Sequence, residues 1–545
     1  MAPSDQHAPG AIASGGAGIR SAGRQRPVRP AEVQCYRVAD EFSGFVICLM
    51  VVFSPWAFGT TQPWSIGIMN LAGYGLGVVL AFKLFIRHVR GYRPLRWAGG
   101  QQGRQDVAKA HPSRAEGHHR PIHPRSGLLS WLVPRATPVL GVLTLLMLAF
   151  CLVSAANARA TYHRAAQSFE YHDCIRWLPH SLDSAKSWQV FWNYLAIACA
   201  FWALRDWLLG RTLAEERHAA GRPQGEPSHA RHLLPARLRL FLWLLCLNGT
   251  LLGIESIAQR VEGSGKLLFL VKPRVNPEAV SQFGPWAYRS NAAQYFNLLW
   301  PVCLGFWWTL HRAGGFQRQR HHLLLPCAAI MAACPIISTS RGGAVVSVAI
   351  LLLAFVFLVA TELFLFASRQ VDQGARRKTS GVLVVFCAGA LGLGYYYGWK
   401  PLAPRMAQFH EGIEDRETMF ENARPMTRDY PWFGTGPGSF ESVFQLYRAS
   451  TETYWPAQLH NDWLETRITF GWVGLGLVLL ALGCVVLRWY APGGIHGGRR
   501  FITLSWLALA GGLAHARFDF PFQIYSTLFL FTTVCGVLIT LTRRP

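Results

Sequence analysis

Residues 343–367 read GAVVSVAILLLAFVFLVATELFLFA, an apolar run long enough to cross a lipid bilayer as a helix. About 20 mostly apolar residues suffice for one crossing, since each adds ~1.5 Å and the hydrocarbon core is ~30 Å thick. Lipid offers the backbone no hydrogen-bond partners, and a helix supplies its own. Working outward, the same criterion gives about twelve spans along the chain. In the first half they lie near 43–59, 64–86, 137–156, 188–209, 238–258 and 292–310. In the second they lie near 322–338, 343–367, 381–399, 463–489, 501–514 and 521–541; the span from Phe501 is the shortest. The expected fold is therefore all-α, a polytopic transmembrane helical bundle with a long polar loop, 400–462, between spans nine and ten.

The 545 residues are 51% hydrophobic and 15% charged, with a formal charge of +24. In a soluble protein such an excess would point to nucleic acid, but its distribution here follows the positive-inside rule. Arg87, Arg90, Arg93 and Arg96 follow the second span, and Arg211, Arg217 and Arg222 the fourth. Arg312, Arg318 and Arg320 follow the sixth, and Arg369, Arg376, Arg377 and Lys378 the eighth. Arg499 and Arg500 follow the tenth, and Arg543 and Arg544 end the chain. Both termini are thus expected on the cytoplasmic side, and no nucleic-acid partner is expected. Residues 1–42 read as a disordered basic tail ahead of a membrane domain over 43–545, in which 87–134 and 210–237 are basic loops. The 12 cysteines are scattered, mostly inside spans, and predict no disulfide framework. His118, His119 and His123 lack convergent metal-ligand spacing.

The same parity puts 157–187, 259–291, 338–342 and 400–462 on the outer face. Arg289 stands at the outer end of the sixth span and Arg341 at the start of the eighth. An arginine at that depth either snorkels to the interface or has a partner. Arg416, in Glu414-Asp415-Arg416-Glu417, fits a surface ion pair equally well. His460 falls where the polar loop meets the tenth span, in Gln458-Leu459-His460-Asn461-Asp462-Trp463. An imidazole titrates near ~6.5 and can accept a proton from a hydroxyl. Two arginines at helix starts can clamp a diphosphate, because guanidinium forks and helix N-termini both favour phosphate oxygens. Such a clamp needs no metal. Asp462, with Glu465 three residues on, reads as the N-cap of the tenth span. The helix dipole would then keep His460 neutral and basic. Gly434-Thr435-Gly436-Pro437-Gly438-Ser439-Phe440 fits no phosphate-loop pattern and reads as a tight positioning turn. Gly263-Ser264-Gly265-Lys266 fails as a Walker A motif for want of its first glycine.

Five elements together resemble the O-antigen ligase and O-antigen polymerase superfamily. They are Tyr288-Arg289-Ser290-Asn291-Ala292-Ala293, Ser338-Thr339-Ser340-Arg341-Gly342-Gly343, the glycine-rich turn, Leu459-His460-Asn461-Asp462-Trp463, and His515-Ala516-Arg517-Phe518-Asp519-Phe520-Pro521. The resemblance covers residue 259 to the C-terminus, and departs from the common pattern where Ser290-Asn291 replaces a frequent Asn-His pair. It implies a GT-C-type glycosyltransferase of the bacterial inner membrane, without a cofactor. Such an enzyme moves a glycan from a polyprenyl diphosphate carrier to an acceptor hydroxyl, lipid- or glycan-linked, on the periplasmic side. By resemblance Arg289 and Arg341 hold the diphosphate and His460 is the base, with Arg416, Asn461, Asp462 and Asp519 in support. Ligase and polymerase share these residues; the ligase-type reading is preferred. A transporter of a small anion is the alternative of another class, against which the ionisable residues gather at one face rather than at the midplane.

Overall fold

A computed structural model describes residues 29–96, 128–220, 234–314, 319–367, 373–408, 411–449, 456–489 and 498–541. The tail up to residue 28, much of the basic loops, and His118, His119 and His123 lie outside the described residues. The first half holds α1 (Pro30–Trp56), α2 (Pro63–Val89), α3 (Leu128–Ala156), α4 (Ser184–Leu208), α5 (Leu213–Ala220) and α6 (Ala236–Glu262). Between α3 and α4 a hairpin pairs β1 (Ala160–His163) antiparallel with β2 (Ser168–Tyr171). Then follow α7 (Arg289–Gly314), α8 (Leu324–Ile337), α9 (Arg341–Ala367), α10 (Gln373–Gly394), α11 (Lys400–Ala407), α12 (Glu411–Asp429) and α13 (Phe440–Val443). The chain closes with α14 (Asp462–Trp489), α15 (Arg499–His515) and α16 (Tyr525–Leu541).

Each of the twelve expected spans falls on a helix, and the bundle is helical as expected apart from the small hairpin. Among the described residues, eight helices are long and apolar enough to cross a membrane. α7 misses that criterion for a reason visible in its surroundings. It is packed by α8, α9, α15, α6 and α16, with Trp300, Trp307, Phe296 and Phe306 fully buried. A helix enclosed on all sides does not face lipid, so it can carry Asn291, Gln294 and Asn297 in its first turns, all buried. Asn297 Nδ2 donates to the Gly343 carbonyl at 2.9 Å and so holds α7 against the start of α9. A Cβ on Gly343 would stand 2.4 Å from that of Ala293, so the helices meet there because side-chain volume is missing.

Two sequence expectations need correction. Residues 30–42 are not tail but the first turns of α1, and they bury Tyr36 and Asp40. Asp40 pairs with Lys83 at 2.5 Å and Arg237 at 2.5 Å; Asp206 pairs with Lys83 at 2.7 Å, Arg87 at 2.6 Å and Arg96 at 2.7 Å. Polar residues that looked like a soluble tail thus close the basic end of the bundle with paired charges. The 400–462 segment is likewise no simple loop, because it contains α11, α12 and α13. α12 is charged on its outside, and the stripe Phe420, Ala423 and Met426 packs with Phe440, Val443, Phe444, Leu459 and Ile468 in a second, smaller core.

Candidate functional site

Arg289 is the first residue of α7 and Arg341 the first of α9. The turn before α9 runs through Thr339 with a φ of 63°, and closes tightly enough to bring both helix starts to one place. Arg289 Nη1 donates to the Val280 carbonyl at 2.7 Å, and Arg341 Nη1 to the Gln408 carbonyl at 2.6 Å. Both line a cavity of about 170 Å³ together with Arg405, Arg416, Tyr288, Ser290, Ser340, His515 and Asp519. Four arginines and one aspartate therefore line one small space. Arg289 also stands in the repulsive field of Arg405, Arg260 and Arg341. An anion in the cavity would relieve that repulsion, and phosphate oxygens match guanidinium geometry.

Asp519 joins this cavity to His460. Its Oδ1 lies 3.0 Å from His460 Nδ1, and its Oδ2 accepts from Tyr288 Oη at 3.4 Å and from Ser290 Oγ. Burial by itself would raise the Asp519 carboxyl. The hydrogen bond from His460 and the charges of His460, Arg416 and His515 outweigh it, and hold the group at about 2 against its ordinary 3.8. An ionised carboxylate only accepts, so His460 Nδ1 carries a proton, and in the neutral form of the ring the lone pair is on Nε2. The imidazole is walled by Phe520 at 4.8 Å and Tyr288 at 6.1 Å, whose rings stack on each other. His460 has a φ of 57°, a backbone region that non-glycine residues seldom occupy. Its side chain is 19% exposed, open enough for a substrate to reach it.

The structure thus brings Arg289, Arg341, Arg416 and Asp519 to one cavity, with His460 bonded to its edge. It corrects the reading of Asp462. The N-cap of α14 is Asn461, whose Oδ1 accepts from Leu464 N at 3.2 Å. Asp462 instead accepts from Phe522 N at 2.7 Å, and its own N–H donates to the Ala516 and Asp519 carbonyls. It therefore fixes the 516–522 segment that carries Asp519, while Glu465 accepts from Leu459 N at 2.8 Å. Arg416 is more than a surface charge, since its Nη1 donates to the Phe518 carbonyl. Arg405 was missed altogether: it lies in no motif, and only the fold of α11 brings it into the cavity. The glycine-rich turn is a packing element, as expected, with positive φ at Gly434, Gly436 and Gly438. Thr435 N and Gly436 N donate to the Ile468 and Thr469 carbonyls, and so are committed to α14. A larger cavity of about 310 Å³, lined mostly by apolar residues, lies among α3, α4, α14 and α16 and reaches Asp462 and Glu465.

Residues 326–479 match a family model described as O-antigen ligase. The match includes Arg341, Arg416 and His460, and ends before Asp519. No curated protein matches the chain. The chain is a multi-pass helical membrane protein, and over residues 326–479 it is similar to the O-antigen ligase family, whose members are glycosyltransferase-like enzymes.

Proposed function

We propose that this protein transfers a glycan from a polyprenyl diphosphate carrier to an acceptor hydroxyl at the periplasmic face of the bacterial inner membrane. Its termini lie in the cytoplasm. The observation that carries the proposal is the cavity lined by Arg289, Arg341, Arg405 and Arg416 together with Asp519, whose carboxylate is bonded to His460. The arginines hold the diphosphate and offset the charge that grows on it as the glycosidic bond breaks. His460 Nε2 takes the proton of the acceptor hydroxyl as that oxygen attacks the anomeric carbon from the face opposite the leaving diphosphate, which inverts the centre. Asp519 is a positioning residue: it fixes the tautomer and steadies the imidazolium that forms. No step calls for a metal ion.

We take the acceptor to be a terminal lipid-linked one, which makes the enzyme ligase-type rather than a polymerase. Two measurements test these statements separately. Purified protein should bind a polyprenyl diphosphate, and Arg289→Ala with Arg341→Ala should weaken that binding strongly; undiminished binding would refute the clamp. Deleting the gene should remove all polymer from its lipid anchor. Accumulation of single-repeat products would instead make the enzyme a polymerase.

A further inference from the structure

We propose that His311, His321 and His322 form a binding site for a divalent transition-metal ion, best matched by zinc, at the end of α7 remote from Arg289. His311 is in the last turn of α7, and the other two lie on the 3-10 turn Gln319–Leu323 that leads into α8. Each offers one ring nitrogen, and the three nitrogens lie within 4.8 Å of one another. His311 Nδ1 and His321 Nε2 are 3.3 Å apart. Zinc–nitrogen bonds of about 2.0–2.1 Å in a tetrahedron put neighbouring ligand atoms roughly 3.3–3.4 Å apart. The observed pair already has that spacing, and the third nitrogen needs a shift of about 1.5 Å or less to match it.

Burial strengthens the case. His311 and His321 are buried and His322 half-buried, so their rings are held rather than free to turn away. Trp307 stacks on His311 with centroids 5.1 Å apart and an 11° interplanar angle, which fixes the direction of that ring. The His321 and His322 rings lie 4.1 Å apart. Three imidazoles, with no carboxylate in the group among the described residues, suit zinc, nickel or copper, and suit magnesium or calcium poorly. Three protein ligands leave a fourth position for water.

The location gives such an ion a consequence. It would clasp the end of α7 to the start of α8. These two helices deliver Arg289 and the Ser338–Arg341 turn at their far ends, roughly 33 Å away along α7 and about 20 Å along α8 by helical rise. The site is independent of the proposed chemistry, since it lies at the other end of the bundle.

The test uses the full chain in detergent, with any polyhistidine tag removed, stripped of metal and titrated with Co²⁺ and then Zn²⁺. The expected result is about one equivalent of Co²⁺ with the visible absorption of a tetrahedral centre, displaced by Zn²⁺. Zn²⁺ should also raise the Tm of the wild-type protein. His322→Gln carries the decisive comparison because this ring is only half-buried. It should keep the metal-free Tm and lose roughly 10-fold or more in affinity. A combined His118→Ala, His119→Ala, His123→Ala variant should still bind. Failure of the folded wild-type protein to bind, or unchanged binding by His322→Gln, would overturn the proposal.

Discussion

Replacing Asp519 by Asn tests the link between the fold and the proposed base. The substitution keeps size and shape but removes the charge and offers a donor where His460 needs an acceptor. The imidazolium formed in the reaction and the carboxylate, bonded through a 3.0 Å contact, have charge centres ~4 Å apart. At an effective dielectric constant of ~20 their attraction is about 4 kcal/mol, or roughly a 10³-fold change in rate. Transfer by purified Asp519→Asn, with a saturating lipid-linked donor, should therefore fall about 10³-fold in kcat with little change in donor KM. The same variant has a signature in acid stability. Because the native carboxyl sits at about 2 rather than 3.8, its stabilisation is complete above about pH 3.8 and fades as pH falls toward 2. That displacement corresponds to about 2 kcal/mol, so the wild-type Tm should drop more steeply than the variant Tm between pH 4 and pH 2. A variant with wild-type kcat and a wild-type acid profile would refute the account of Asp519.

Arg405→Ala should raise the donor KM and also lower kcat, because the guanidinium offsets charge that develops in the transition state, with the Tm close to wild type, as steady-state transfer would show. Gly343→Ala should force α9 away from α7, since the new Cβ would meet that of Ala293 at 2.4 Å. Overpacking of this kind costs about 1–3 kcal/mol, and a lowered Tm should be accompanied by weaker donor binding as Arg341 shifts. Asp206→Ala would leave Lys83, Arg87 and Arg96 without a shared partner and should destabilise by about 3–5 kcal/mol, readable as a lower thermal midpoint in detergent.

Much of the bundle is legible because span-length apolar runs announce themselves, and the positions of Arg289 and Arg341 at helix starts follow from where those runs begin. What escaped the sequence depends on tertiary partners. The first turns of α1 look polar until Lys83 and Arg237 are seen pairing with Asp40. α12 looks like loop because its apolar stripe is narrow, and it is stabilised by a core drawn from α13, α14 and Leu459. The N-cap was placed one residue late because Asn461 and Asp462 are equally good caps locally. The long-range bond to Phe522 N is what engages Asp462 elsewhere. Arg405 carries no local signal. Asp519 was visible only as part of a motif, and its bond to His460 spans 59 residues of sequence.

The central claim is that His460 is the base. Its most direct test is transfer by His460→Ala, purified and reconstituted with lipid-linked donor and acceptor, with a chelator present, and with donor binding measured in parallel. The account predicts unchanged donor binding and a loss of transfer of about 10²–10⁴-fold. Transfer at the wild-type rate by that variant would contradict it.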